Sequence, residues 1–367
     1  MIDIIIVASN SIVRNPRIWK IVSSLRKRYA TSGLGWNREA LSSKEIGKYI
    51  VDLTQFNVKA PFGRPHLVLY YPFFWTWVLL KLIKYRPRVV HAIDLDTLLP
   101  SVIYKLIFRT KLLYEVHDRY AGYVPPNSKK LFSLMNLIEE ILAKRADVLV
   151  TVSAKVLDTF RRRPKECAII MNCSEDYRVD INKSNNADMT LVYTGLIRKD
   201  LGLQKITAAI KDLKGVQLVT AGRVADRNLL NEMLKLSNVM YKGHMAPNDS
   251  LRLEASSDVM VALYDLQYPK NKLSSPNKVF EAMMCSIPLI TNMEQELVGK
   301  EVGCGIIVDY DNLDQIKQAI ILLRDNVEVR SRMGKNGRRA FEDKYNWNIM
   351  EQKLYDIYNK LLEDKSE

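Results

Sequence analysis

The sequence predicts an α/β protein of two domains, each a parallel sheet wound with helices. Three observations carry this. The chain has 367 residues, more than one hydrophobic core usually organises. Short uncharged runs of strand length alternate with helix-period segments from end to end. That alternation lapses once, over 178–188, where the sequence turns polar and aperiodic. Domains are therefore expected over 1–177 and 189–345, joined by a linker at 178–188 and followed by a terminal helix over 346–367.

Ile4 to Ala8 is a continuous apolar run, as a strand buried on both faces requires. After the polar loop Ser9-Asn10-Ser11, Asn15-Pro16-Arg17 opens a helix that carries Ile18, Ile21, Val22 and Leu25 on one side. Arg26-Lys27-Arg28 closes it, where cations suit the negative helix end. Val89 to Asp94 and Leu112 to Asp118 repeat the strand-to-loop design. His91, Asp94, His117 and Asp118 are thus expected at carboxyl ends of strands, the edge where open α/β sheets bind ligands, and Arg17 at the mouth of the first loop joins them. Two of the chain's four histidines on one edge mark a candidate site. Asp94 and Asp96 could suggest a metal pair, but carboxylates at a strand-to-helix junction also serve as helix caps, and they are read so here. Asp147 to Val152 supplies another strand, Ser153 caps the next helix, and Ala168 to Met171 ends the first domain's sheet.

Leu67 to Leu80 carries no charge and is framed by Arg64 on one side and Lys81, Lys84, Arg86 and Arg88 on the other. It falls short of the roughly 20 residues a membrane span needs, and Pro72 interrupts it. Its aromatic residues beside a basic cluster suit a segment lying in a membrane interface, or equally a core helix.

The second half alternates likewise: strands over Met189 to Tyr193, Gln217 to Ala221, Val239 to Tyr241 and Val259 to Leu263, a helix over Gln204 to Leu213, and Gly195 and Gly222 in loops. Ser274 to Thr291, SSPNKVFEAMMCSIPLIT, is the most informative stretch. Ser275 stands where a helix cap belongs and Pro276 at the first helical position, where its fixed φ is no handicap. Val279, Phe280, Met283 and Met284 form one buried face. The first-turn amides of Ser275 to Lys278 lack intrahelical acceptors, so together with the helix dipole and Lys278 they suit a phosphate. Glu281, one turn further and roughly 5 Å down the axis, is placed to accept both hydroxyls of a ribose. A capped surface helix with a solvated Glu would read the same. A last amphipathic helix, about Asn348 to Leu362, carries Ile349, Leu354, Ile357 and Leu361 on one side.

The chain is 47% hydrophobic and 26% charged, which excludes a disordered protein. Its 55 basic against 41 acidic residues give a net charge of +14, a surface attractive to nucleic acid, an anionic membrane or phosphorylated small molecules. No zinc-finger spacing or nucleic-acid motif accompanies the charge, so nucleic acid is not expected as a partner. Cys167, Cys173, Cys285 and Cys304 are scattered, which suits reduced thiols, and the start of the sequence lacks a signal-peptide pattern. A cytoplasmic setting is expected.

SPNKVFEAMMCSIPLI resembles the nucleotide-sugar motif of family 4 glycosyltransferases of GT-B architecture, in which two Rossmann-like domains face each other across a cleft. NPRIWK, VVHAIDLDTLLP, YEVHDRY, ADVLVTVS, IIMNC, LVYTGLI, LVTAGR, YKGHM and YNW match along the whole chain. The resemblance implies an acceptor-binding N-terminal domain, a nucleotide-sugar-binding C-terminal domain, and a C-terminal helix returning to the first. It implies retaining transfer from a nucleoside diphosphate sugar with no cofactor or obligatory metal. With the aromatic-basic segment from Arg64 to Arg88 and the net charge, a lipid-linked or glycan acceptor and a protein peripheral on the inner face of the cell membrane are expected. Among its catalytic residues would be His117 beside the donor sugar and Glu281 on the ribose. Ser275, Pro276, Asn277 and Lys278 would mark the diphosphate-binding helix start, with Gly195 in the preceding turn and Gly243 near the base. Arg17, His91 and Asp94 would lie on the acceptor side. The sequence departs from the family at Leu273, where an acid is frequent, at Ser286, where glycine is usual, and at Leu196 and Leu201, where a diphosphate-clamping arginine and lysine are common. Arg198 and Lys199 in the same loop are expected to substitute. The alternative reading is a catalytically silent relative that binds a nucleotide sugar or scaffolds a partner enzyme.

Overall fold

A computed structural model describes residues 2–10, 12, 15–38, 53–60, 65–124, 128–177 and 189–363. The expected linker at 178–188 and Arg64 lie outside the described residues. The chain forms two compact units, one of Met1–Met171 with Glu351–Glu367 and the other of Asn172–Met350.

The first unit is built on a seven-stranded sheet of order β3-β2-β1-β4-β5-β6-β7. Its strands are β1 (Ile4–Ala8), β2 (Thr31–Trp36), β3 (Leu53–Phe56), β4 (Val89–Ile93), β5 (Lys111–Val116), β6 (Val148–Thr151) and β7 (Glu166–Ile169), and every pairing is parallel. Its helices are α1 (Pro16–Arg26), α2 (Tyr71–Tyr85), α3 (Leu95–Phe108), α4 (Lys129–Ala143) and the short α5 (Ala154–Leu157). The Asn15 side chain accepts from the amides of Arg17 and Ile18, which starts α1 where the sequence predicts. α1 carries the chain from β1 to β2, in one direction along the sheet, whereas α2, α3 and α4 carry it in the other. Right-handed crossovers therefore put α1 on one face and α2, α3 and α4 together on the opposite face.

The second unit has a six-stranded sheet, β10-β9-β8-β11-β12-β13, again parallel throughout. It comprises β8 (Met189–Thr194), α6 (Leu203–Ile210), β9 (Val216–Ala221), α7 (Arg227–Met233), β10 (Val239–Tyr241), α8 (Pro247–Ala255), β11 (Val259–Ala262), α9 (Pro269–Lys272), α10 (Asn277–Cys285), β12 (Leu289–Thr291), β13 (Gly305–Ile307), α11 (Leu313–Asp325) and α12 (Val327–Asp343). Leu191, Leu218, Val259, Val261 and Ile290 from its strands pack with Ile206, Ile210, Ile316 and Ile320 from α6 and α11 in one continuous core.

The last helix, α13 (Trp347–Glu363), begins in the second unit, where the Trp347 amide donates to the Ser174 carbonyl at 2.9 Å. From Glu351 it belongs to the first. There the Tyr355 hydroxyl donates to the Ser24 carbonyl at 2.9 Å and the Tyr358 hydroxyl lies 2.8 Å from His91 Nδ1. The domain boundary accordingly falls six residues earlier than the sequence suggests, at Met171, because Asn172, Ser174 and Asp176 bond within the second unit to Ser275, Trp347 and Arg338. The helix expected over 346–367 divides between the two units after Met350.

The uncharged segment also differs from its expected length. A 3-10 turn over Pro65–Tyr70 leads into α2, and Leu67–Tyr85 makes 19 helical residues of mean hydropathy 1.3, long and apolar enough to cross a membrane. Lys81 and Lys84 extend the helix rather than ending it. In this fold it is the crossover between β3 and β4, with Phe74, Val78 and Leu82 buried.

Candidate functional site

Each unit gathers its chemistry at the carboxyl ends of its strands. In the first, Glu115 near the end of β5 and His117 just past it stand two residues apart, and their side chains meet. Glu115, fully buried, is the hub: its Oε1 lies 2.5 Å from Arg17 Nε and 2.8 Å from His117 Nε2, and its Oε2 lies 2.8 Å from His91 Nε2. Burial alone would raise the Glu115 carboxyl, but Arg17 and His117 outweigh it and hold the group well below the carboxylate range. His117 is partly accessible, with Nδ1 3.9 Å from Asp94 Oδ2. Desolvation would lower its proton affinity, but Asp94 and Glu115 prevail and raise it, favouring an imidazolium.

Asp94 occupies the helix-cap position of α3 without capping it. Its Oδ1 instead accepts the His117 amide at 2.9 Å, and its backbone sits at φ 61°, ψ 167°, a region that side chains other than glycine's rarely enter. Burial pushes its carboxyl up to about 7, against the pull of His117, and Asp96 adds to the rise. Of the expected acceptor-side residues only Asp94 stays at the open edge beside His117. Arg17 is buried, spending its guanidinium on Glu115 and on the Ile170 carbonyl at 2.8 Å, and His91, in mid-strand, is closed off by Tyr358 and Glu115. Both are corrections. Arg17 turns inward from the first turn of α1, and His91 is a mid-strand residue, not a strand end.

In the second unit, three strand-end turns interlock. The Gly195 amide donates to the Ala221 carbonyl and the Gly222 amide to the Gly243 carbonyl, each at 2.8 Å. Gly195 and Gly222 adopt φ of 140° and 137°, and a Cβ on Gly222 would fall 1.8 Å from the Gly195 carbonyl oxygen, so only glycine fits. Gly243, at φ 81°, borders open space.

α10 brings a first-turn lysine to the first of these turns. The helix begins one residue later than expected: Pro276 is the cap and Asn277 the first helical residue, while Ser275 is buried and offers its carbonyl to Asn172 Nδ2 at 2.9 Å. Lys278 Nζ lies 4.9 Å from the Tyr193 ring centroid and 3.4 Å from the place a Gly195 Cβ would take. Glu281 is partly buried on the next turn. The Lys278 ammonium thus stands beside the Gly195 turn at the start of a helix, where a cation and a helix N-terminus suit phosphate.

Arg198 does not substitute for the missing clamp, because its guanidinium is paired with both oxygens of buried Asp200, which also lies 3.6 Å from Lys270 Nζ. Lys199 is exposed, and Leu201 packs on the unit's core. Lys278, beside the Gly195 turn, supplies a cation where the resemblance would have placed the clamp.

Sequence reasoning missed two acids, Glu115 and Glu254. Glu254, on α8 and 1% exposed, accepts the Thr194 hydroxyl with Oε1 and leaves Oε2 without a hydrogen-bond partner. Burial raises its carboxyl to about 8, and Glu281 pushes in the same direction while Lys278 opposes. The available signal was a Glu three residues after Leu251 on the face that α8 buries.

Two doubly wound parallel α/β units, one presenting a cation-tipped helix start beside a glycine turn, define the GT-B class. Protein-family models agree: Glycosyltransferase Family 4 matches residues 37–173, and a glycosyl transferase-like model matches 198–354. The first match places family 4 glycosyltransferase sequence in the first half of the chain, the second places glycosyl transferase-like sequence in the other half, and the fold is that of GT-B glycosyltransferases.

Among curated relatives it is 28% identical to spore coat protein SA of Bacillus subtilis over 46% of this chain and 48% of that one. It is 24% identical to the capsular polysaccharide biosynthesis glycosyltransferase CapM of Staphylococcus aureus over 52% and 53%. The matched segments span about half the length of these two relatives; 73% of an uncharacterized glycosyltransferase of Methanocaldococcus jannaschii is covered, at 24% identity. In fold the chain is similar to sucrose-phosphate synthase of Thermosynechococcus elongatus (TM-score 0.78, 15% identity, 99% and 100% covered). It is likewise similar to Anabaena HepE solved with UDP and glucose (TM-score 0.76, 13% identity, 98% and 100% covered).

Proposed function

We propose that this chain is a retaining glycosyltransferase that takes a sugar from a nucleoside diphosphate donor, without an obligatory metal, and passes it to a lipid-linked or glycan acceptor at the cytoplasmic face of a membrane. The carrying observation is Lys278, in the first turn of α10, with its Nζ beside the Gly195 turn and over the Tyr193 ring. As the glycosidic bond to the donor breaks, negative charge grows on the departing diphosphate, and a helix N-terminus with a lysine can stabilise that charge. Glu281, one turn on, would accept the ribose hydroxyls. His117, whose proton affinity Asp94 and Glu115 raise, would serve the donor sugar. A structural neighbour solved with UDP and glucose supports a nucleotide-sugar donor, and the biosynthetic role in the printed name of CapM supports a glycan product. The apolar, basic-flanked α2 supports the membrane setting.

The test is a thermal-shift comparison of UDP, GDP, ADP and their sugar conjugates on the wild type and Glu281→Ala. A ligand at 100 times its Kd stabilises by about 2.7 kcal/mol, and that shift should shrink in the variant. A second reading, a silent nucleotide-sugar-binding or scaffolding protein, is favoured by one observation: Leu196 and Leu201 replace the usual clamp and Arg198 is tied to Asp200. Nucleotide binding with no transfer or hydrolysis from any of the donors would favour it.

A further inference from the structure

We propose that the outer face shared by α2, α3 and α4 is a docking surface for an anionic lipid membrane. The inference rests on the membrane setting proposed above and names its surface; it does not rest on which donor is used. The three helices lie on one side of the first unit's sheet, and α3 packs against both of its neighbours. Among the described residues 24 large apolar side chains are exposed, and 15 of them stand on these helices and the turn leading into α2, so the exposure is concentrated there and is not general.

α4 is built inside out. Leu131, Phe132, Leu134, Leu137, Ile138 and Ile141 are exposed, while its two acids, Glu139 and Glu140, are 0% and 8% exposed. The Tyr114 hydroxyl donates to Glu139 at 2.9 Å, and the Arg119 guanidinium lies 3.7 Å from both carboxylates. A surface helix in water would be expected to reverse that arrangement. α2 contains no acid, and the one acid of α3, Asp96, is buried. No acid on the three helices is more than 8% exposed, whereas Lys84, Arg86, Arg109, Lys129, Lys130 and Lys144, on the helices or next to their ends, are exposed.

An apolar face rimmed by one sign of charge fits an anionic bilayer, which offers acyl chains to the side chains and phosphate to the cations. A second copy of the chain fits poorly, because a two-fold contact would set this cationic rim against itself.

Sedimentation of the full chain with pure phosphatidylcholine vesicles and with equimolar phosphatidylcholine and phosphatidylglycerol vesicles tests the proposal. Binding should favour the anionic vesicles. Leu134→Ser combined with Leu137→Ser should weaken it about tenfold or more, as two partly exposed apolar side chains leave the lipid. Leu234→Ser, equally exposed but on the second unit, should leave it unchanged, and the nucleotide thermal shift should persist in both variants, showing that they fold. Absence of binding to anionic vesicles, or a double variant that binds like the wild type, overturns the proposal. So does a wild-type dimer that the double variant dissolves, which assigns the face to a second copy. Vesicle binding without any nucleotide shift supports the surface while removing the donor reading.

Discussion

Arg17 shows how a residue can be recognised as important and assigned the wrong work. The sequence puts it at the mouth of the first strand's loop; the structure buries it against Glu115, whose other neighbours are His91 and His117. Removing the cation leaves a carboxylate at 0% exposure without its strongest partner, so Arg17→Ala is expected to cost about 3–5 kcal/mol in chemical denaturation. A variant of unchanged stability with a raised acceptor KM would return Arg17 to the acceptor side. Glu254 makes a prediction of opposite sign. Its carboxyl is held at about 8 against about 4.3 in an unfolded chain, so the fold favours the protonated form. The stability this contributes is complete below about pH 4.3 and is lost as pH rises through about 8. Glu254→Gln keeps an acceptor for Thr194 but cannot ionise. It should be more stable than the wild type at pH 9, by at least about 1 kcal/mol, with the difference gone near pH 4. Equal denaturation midpoints at pH 9 would show that Glu254 is not the buried charge it is taken for. Both acids escaped sequence reading for one reason: a buried carboxylate is written with the same letter as a solvated one, and only its partners, 98 residues away for Arg17 and 60 for Thr194, distinguish them.

At the scale of elements, the legible parts are those whose signal is local. Ile4–Ala8 and Pro16–Arg26 were readable because an all-apolar run and an Asn-Pro start state their conformation without reference to the rest of the chain. β2, with two glycines and a tryptophan in TSGLGW, carries no such pattern; Gly33 and Gly35 are there because Ile12 packs over them, and a Cβ on Gly33 would fall 2.8 Å from its Cδ1. The turn after α10 follows the same logic. Ser286 stands at φ 56°, ψ 39°, left-handed backbone that glycine adopts without cost, and its amide donates to the Met283 carbonyl at 3.2 Å. Ser286→Gly should stabilise the chain by about 0.5–1 kcal/mol, since relief of left-handed strain outweighs the added freedom of the unfolded chain. The melting temperature reads this directly, and a lower one would mean that the Ser286 side chain contributes more than its backbone costs.

Across the whole molecule, both sheets are parallel, and the alternation of strand and helix made that legible. The return of the chain's end to the first unit, which the structure bears out, was legible through the resemblance and not through any local pattern. The apolar spacing of the last helix is the same whichever sheet it serves, and long-range pairings such as those of Tyr358 with His91, Tyr355 with Ser24 and Tyr29 with Asn359 assign residues from Glu351 onward to the first unit. Four of the side chains this segment contributes, Leu354, Tyr355, Tyr358 and Leu361, are buried. At about 1.5–3 kcal/mol for each large apolar side chain buried, their loss rivals the 5–15 kcal/mol that stabilises a whole domain. It would also open His91 and Glu115 to water. A chain ending at Met350 should therefore lose the folding transition of the first unit while keeping that of the second, which calorimetry would show as one endotherm disappearing and nucleotide stabilisation of the other surviving. If both transitions persist, the first unit's core closes without its terminal helix, and Tyr358 is packing on a His91–Glu115 pair that already holds itself together.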